Sequence, residues 1–192
     1  MFPINPKHGS VLGTSAFPNI DSIPEVVDLA VIAPPAPTTP GIERECVAAG
    51  VPAAVIISAG FKECGLGGAE FESSILADAQ RGCVRLIGPK CLGVITLHLG
   101  LNTSFAASAA RPGNVAFISQ SGALCPAIFG WSLKENSGSS AFVSFGSMPD
   151  VGWGDLIDHL GDDWRTHSIV ICMELSGDAP AFLAAAQKVA CA

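Results

Sequence analysis

Short runs of uniformly apolar, β-branched residues alternate along this chain with segments whose apolar positions recur at helical spacing. Residues 2–5, 28–33, 53–58 and 84–87 are apolar on both alternating faces, which suits parallel strands covered on two sides better than half-exposed ones. Residues 40–50 and 69–82 read as helices between them. Pro40 opens the first and Gly50 closes it, and the second sets Phe71, Ile75 and Leu76 on one face. Gly88, Pro89, Gly93 and the small-residue stretch 98–113 then interrupt the series. A second series follows: strands at 114–119, 140–145 and 168–174, helices at 122–136, 155–160 and 179–190. The expectation is an α/β protein with mainly parallel sheets, divided into residues 1–97 and 98–192. Both halves look incomplete. A doubly wound domain opens with a central strand and a glycine-rich turn, which here would have to precede Met1, and a further strand is expected after the last helix.

Composition narrows the class. Of 192 residues, 49% are hydrophobic and 14% charged, which excludes disorder. Ten Lys and Arg against 17 Asp and Glu give a net charge of −7, and with no basic cluster a nucleic-acid partner is not expected. No apolar run approaches the ~18 residues of a membrane helix, and the N-terminus lacks a signal-peptide pattern. A soluble, cytoplasmic protein without a membrane partner is therefore expected. The seven cysteines show no CxxC spacing. They read as buried small hydrophobes in a reducing compartment, with no metal site.

Candidate chemistry falls in the turns after strands. In an open α/β sheet ligands bind outside the carboxyl ends of the strands, so residues 5–9, 33–37 and 58–62 can line one crevice. Lys7 is suited to a phosphate, and the prolines with Phe61 to a rigid apolar wall for an adenine or alkyl chain. Residues 118–123 lead into a helix and gather small residues, two hydroxyls and backbone N–H groups, as an anion site requires; on the residues alone, an ordinary serine cap with a glycine turn is the plainer reading. Residues 64–68 carry glycines at 65, 67 and 68, which fails the GxGxxG pattern, and read as a flexible loop. Glu174 ends an apolar run where ligands bind, although a strand closing on a solvated carboxylate is the plain alternative. Asp155 and Asp158 read as a solvated face, and the four histidines as surface or loop residues.

The motifs INPKHG, DLAVIAPPAPT, VIISAGFKE, RLIGPKCLGVI, GLNTSFA, PGNVAFISQSGALCPAIFGW and FVSFGSMPDVGWGDLIDHLGDD, in this order, resemble the α-type region of ADP-forming (NDP-forming) acyl-CoA synthetases. More distantly the chain is similar to the α subunit of succinyl-CoA ligases and to the synthetase-like part of bacterial protein acetyltransferases. The resemblance implies a Rossmann-like CoA-binding domain lacking its first strand, then a partial flavodoxin-like domain. It implies that acid, ATP and CoA are converted to acyl-CoA, ADP and phosphate through an acyl phosphate and a phosphohistidine. By that resemblance Asn5, Pro6 and Lys7 meet CoA phosphates, Pro34 and Pro35 lie beside its nucleotide, and Ser58, Ala59 and Gly60 line the pantetheine. Ser119, Gln120, Ser121 and Gly122 face the phosphohistidine, which Glu174 orients.

The family's phosphorylated histidine lies beyond the equivalent of Ala192, and its ATP-grasp domain, which brings ATP or ADP with Mg, is absent too. The chain alone is therefore expected to be catalytically silent, with an ATP-grasp domain or subunit as partner. Where the family usually has Asn, this chain has Lys90, which brings charge near the active-site loop. The loss of a central strand predicts an oligomer or a complementing chain. The competing readings are a non-enzymatic CoA- or nucleotide-binding module and, disfavoured by the missing GxGxxG turn, an NAD-dependent dehydrogenase domain.

Overall fold

The computed structural model describes residues 1–106, 111–135 and 137–191. Three parallel strands, β3 (Ala30–Ile32), β4 (Ala53–Ile56) and β5 (Arg85–Ile87), form the first sheet in the order β3-β4-β5. Helices α1 (Thr39–Ala48) and α2 (Leu66–Gly82) connect them. Ile32, Ile56, Phe61, Ile75 and Leu86 close a core between sheet and helices. Burying such side chains contributes about 1.5–3 kcal/mol each, which is why the run pattern of the strands survives into the structure.

The N-terminal segment departs from expectation. Residues 2–5 make no strand; Ile4 forms an isolated parallel bridge to Phe17, and Asn5 N–H donates to Phe17 O at 2.9 Å. Residues 10–15 fold into a hairpin of β1 (Ser10–Val11) and β2 (Thr14–Ser15). Its turn places Leu12 at φ 49° and Gly13 at φ 82°. A leucine in a left-handed position is not a turn signal, so this hairpin had no sequence cue.

The second sheet has the order β10-β8-β9-β6-β7: β6 (Gly93–Thr96), β7 (Leu101–Asn102), β8 (Pro112–Ser119), β9 (Ser139–Ser144) and β10 (Ser168–Cys172). Strands β10, β8 and β9 run parallel, and β6 pairs antiparallel with both β9 and β7. Residues 93–96, ahead of the expected division at 97, thus hydrogen-bond into the second sheet. Along β8 successive side chains alternate between two cores. Ala116 and Ile118 face α4 (Trp153–Gly161) and α5 (Ala179–Ala190), while Phe117 packs with Phe129 of α3 (Leu124–Lys134) and with Phe142. This two-sided burial explains the absence of polar alternation. Residue 136, the expected end of the third helix, and residues 107–110 of the expected boundary lie outside the described residues.

Three charged side chains join the two sheets. Arg85 forks to Asp150 at 3.0 Å and to Asp155 at 3.1 Å, and Asp150 also accepts the Leu86 N–H at 2.7 Å. Asp155 is exposed, as a solvated face requires, and also links the two lobes. Among the described residues no helix is long and apolar enough to cross a membrane. The cysteines are all free, but only Cys46, Cys91 and Cys125 are buried; Cys64, Cys83 and Cys191 are exposed and Cys172 is half-buried.

Candidate functional site

The turn after β4 is built by close approach. Gly60 has φ +108°, and a Cβ there would stand 3.2 Å from the Ala36 Cβ. Gly68 comes closer still, because a Cβ would lie 1.8 Å from the Phe61 carbonyl oxygen. Residues 66–68 are therefore not a flexible loop; they are the first turn of α2, and glycine lets it press against the strand-end turn. Gly60 N–H donates to the Glu63 carboxylate at 2.7 Å. Burial opposes charge on Glu63, but the backbone N–H bonds from Gly60, Glu63 and Phe61 and the nearby Lys90 charge hold its carboxyl below the usual value. The Ser58 hydroxyl donates to Pro34 O, joining the turns after β3 and β4, and Lys90 N–H donates to Ser58 O at 2.9 Å.

Pro34, Pro35 and Ala59 are exposed and Ser58 and Gly60 half-buried, so this edge of the sheet is open to a ligand. Phe61 is not part of any apolar wall there: it is fully buried in the first core. Asn5 caps its own turn, accepting from Lys7 N–H at 3.0 Å and His8 N–H at 3.2 Å, and Pro6 and Lys7 are exposed. Among the described residues no hydrogen bond or ion pair joins residues 5–7 to the turns at 34–35 or 58–60.

The turn after β8 has a different construction. Ser119 is fully buried, and its hydroxyl accepts from Ser121 N–H and donates to Ser121 O, both at 3.0 Å. Gln120, 7% exposed, uses its amide oxygen to accept Glu174 N–H at 2.7 Å and Leu175 N–H at 2.8 Å. The sequence brought Gln120 and Glu174 forward as separate candidates; the fold makes one hold the backbone of the other. The Glu174 carboxylate is exposed just past β10 and makes no hydrogen bond or ion pair among the described residues. No side chain caps α3, whose N-cap is Ala123. With Ser119 and Gln120 engaged, what the turn offers an anion is the Ser121 hydroxyl and the first N–H groups of the helix, which have no acceptor within it.

Residues 88–92 stand between these turns. Lys90 N–H meets Ser58, and a Cβ on Gly122 would lie 3.6 Å from Leu92 N. Leu92 N–H donates to the Ser144 hydroxyl at 3.0 Å, and Ser147 N–H donates to Pro89 O at 3.1 Å. Lys62 adds a second tie, from its ammonium to Ser147 O at 2.7 Å. Met148 in the same loop accepts from the Gln120 amide nitrogen at 3.5 Å. Lys62, Met148 and Asp150 lie within the motifs quoted above, but nothing in the sequence singled out their side chains as ties between the lobes. The two thiols nearest this junction are not nucleophiles. Burial pushes Cys91 up to about 12 and Cys125 up to about 11, so neither supplies thiolate near neutral pH.

Residues 1–96 match the CoA binding domain family, and residues 112–192 match the succinyl-CoA ligase like flavodoxin domain. The ADP-forming acetate–CoA ligase I of Archaeoglobus fulgidus is 40% identical over 190 residues, covering 99% of this chain and 28% of that protein. The α subunit of the ADP-forming acetate–CoA ligase II of Pyrococcus furiosus is 38% identical over 189 residues, covering 98% and 41%. Among solved structures, the dinucleotide forming acetyl-coenzyme A synthetase 1 of Ca. Korarchaeum cryptofilum, in complex with phosphate and ADP, superposes with a TM-score of 0.92. It shares 37% identity and covers 98% of this chain and 40% of its own. The chain thus spans less than half the length of these relatives. Matched in order across both sheets and both strand-end turns, it belongs to the family of ADP-forming acyl-CoA synthetase α regions, with a CoA-binding domain followed by a succinyl-CoA-ligase-like flavodoxin domain.

Proposed function

We propose that this chain supplies the CoA-binding and anion-holding parts of an ADP-forming acyl-CoA synthetase, which converts acid, ATP and CoA to acyl-CoA, ADP and phosphate. The observation that carries this reading is the position of residues 88–92, bonded to the Ser58 turn on one side and abutting Gly122 on the other. Ser58, Ala59 and Gly60 receive the pantetheine arm, where a side chain on residue 60 would intrude. Pro34 and Pro35 flank the nucleotide end, and Asn5, Pro6 and Lys7 meet its phosphates. Ser121, Gly122 and the start of α3 hold a phosphoryl group in a turn fixed by Ser119 and Gln120. Glu174 orients the histidine that carries it. In this reading another domain or subunit supplies that histidine and the ATP-grasp part that brings ATP and Mg, and the assembly works in the cytoplasm.

A partner strand or a second copy is part of the proposal. Among the described residues strand β3 pairs with β4 on one side only, and Val31 on it is 47% exposed; an unpaired parallel edge favours an added strand. Calorimetric titration with CoA tests the binding role, with micromolar binding expected. In the same assay the chain alone is expected to form no acetyl-CoA from acetate, ATP and CoA. Turnover by the purified chain contradicts the division of labour, and failure to bind CoA contradicts the binding role.

A further inference from the structure

Met148 has φ 56°, a left-handed conformation that a residue bearing a Cβ adopts at a cost, and such strain persists only where surrounding contacts over-determine it. Two contacts of its side chain do so, and both lead to the turn after β10. Its Sδ accepts from the Gln120 amide nitrogen at 3.5 Å, and its Cε lies 3.1 Å from where a Cβ on Gly177 would stand. The Gln120 amide cannot turn over. Its oxygen takes Glu174 N–H and Leu175 N–H, which leaves the nitrogen to face Met148. Leu175 is held a second time, by the Trp153 indole N–H on its carbonyl at 3.0 Å.

The residue before Met148 is held from the other lobe. Ser147 N–H donates to Pro89 O at 3.1 Å, and Ser147 O accepts from the Lys62 ammonium at 2.7 Å. Lys62 lies two residues past Gly60 and is braced by the Glu72 carboxylate at 3.3 Å. Beside it Lys62, Glu72, Leu76 and Pro149 line a cavity of about 270 Å³. Packing therefore does not fix the loop against α2 at this place, and the ammonium does.

Resting on the reading above, we propose that Lys62 and Met148 are positioning residues: through Ser147 and Gln120 they make the placement of Glu174 depend on the turn at 58–60. A shift of that turn when a pantetheine arm settles on it moves the ammonium and, with it, Ser147 O. Met148, already strained, then changes the hold of Gln120 on the Glu174 backbone. The carboxylate that orients the phosphohistidine is thus set once the thiol carrier is in place, a coupling between two sites that share no ligand.

The test is amide hydrogen exchange of the full chain, read by NMR at Glu174 and Leu175. Met148→Leu removes the sulfur acceptor and Lys62→Met the ammonium; each is expected to speed both amides about fivefold. The double variant is expected to be no faster than the faster single one, whereas multiplied effects overturn the relay. Lys62→Arg, which still reaches Ser147 O, restores the parent rates. Arg85→Ala, which cuts a different tie between the lobes, leaves them unchanged. An equal rise at Ile118 in β8 is general loosening and also overturns the relay. Saturating CoA is expected to slow both amides in the parent and not in Lys62→Met; bound CoA without slowing overturns the coupling. A parent protein that binds no CoA by calorimetry overturns the binding reading, while the exchange pattern of the free variants still decides the relay.

Discussion

The two strand-end turns that face each other across residues 88–92 are made in opposite ways. After β4 the turn is shaped by missing atoms: glycines at 60 and 68 allow backbone to approach backbone, and the exposed Pro34, Pro35 and Ala59 are not fastened by buried side chains. After β8 the turn is fastened by buried polar side chains, Ser119 closing on Ser121 and Gln120 holding Glu174 and Leu175. Under the proposed function the first turn receives a large flexible ligand and the second a small anion. The fastened turn suits that task, since fixed N–H dipoles need no rearrangement when a charge arrives.

The contrast can be broken most strongly at the clamp between them. Gly146→Ala puts a Cβ into two carbonyl oxygens at φ +59°, and is expected to destabilise the protein by about 3–4 kcal/mol, read by urea denaturation. Loss of the shared cooperative transition, with the first lobe melting separately, would show that residue 146 couples the lobes.

A second effect belongs to the first lobe alone. Glu43 is fully buried on α1 with neither carboxylate oxygen hydrogen-bonded, and burial, with the Asp78 charge, pushes it up to about 7 from a usual 4.5. Its protonated form is the one folding favours. The stability it permits is complete below about 4.5 and is lost as pH rises to about 7. Above that the penalty for the charged form reaches on the order of 3 kcal/mol. Glu43→Gln removes the titration, so the melting temperature of the variant relative to the parent is expected to climb between pH 5 and pH 8. A difference independent of pH would refute the assignment.

Gln120→Ala sharpens the comparison in the second lobe. It frees two N–H groups, which exposure lets water partly satisfy, for an expected loss of about 2 kcal/mol. Phosphate binding should fall while CoA binding persists, which calorimetry with each ligand separates. The smallest effect is expected from Arg85→Ala. Its ion pairs to Asp150 and Asp155 are half-exposed, and their removal is expected to cost about 1 kcal/mol by denaturant titration.

Much of this was legible in the chain itself. Six of the seven expected strands and all five helices lie where their apolar periodicity put them, because strands buried on both faces carry uninterrupted apolar runs. The start of α2 at Leu66, ahead of the expected 69, and the hairpin at 10–15 were not legible. Both depend on close backbone approaches or a strained turn residue that composition does not reveal. The site residues divide the same way. Ser58, Ser119 and Glu174 could be singled out by their place after apolar runs, but nothing in the sequence said that Gln120 would bind the backbone at Glu174, or that Asp150 and Asp155 would meet Arg85.

The sequence by itself determined the α/β order, the buried strands, the family and the turns at the strand ends, since each is written in local periodicity and motif. Only the tertiary structure decided which turns meet. The position of Lys90 between Ser58 and Gly122, the clamp of Gly146 on its carbonyl and the forked Arg85 all join residues far apart in the chain. Such contacts arise only once two cores have formed and pressed their strand ends together.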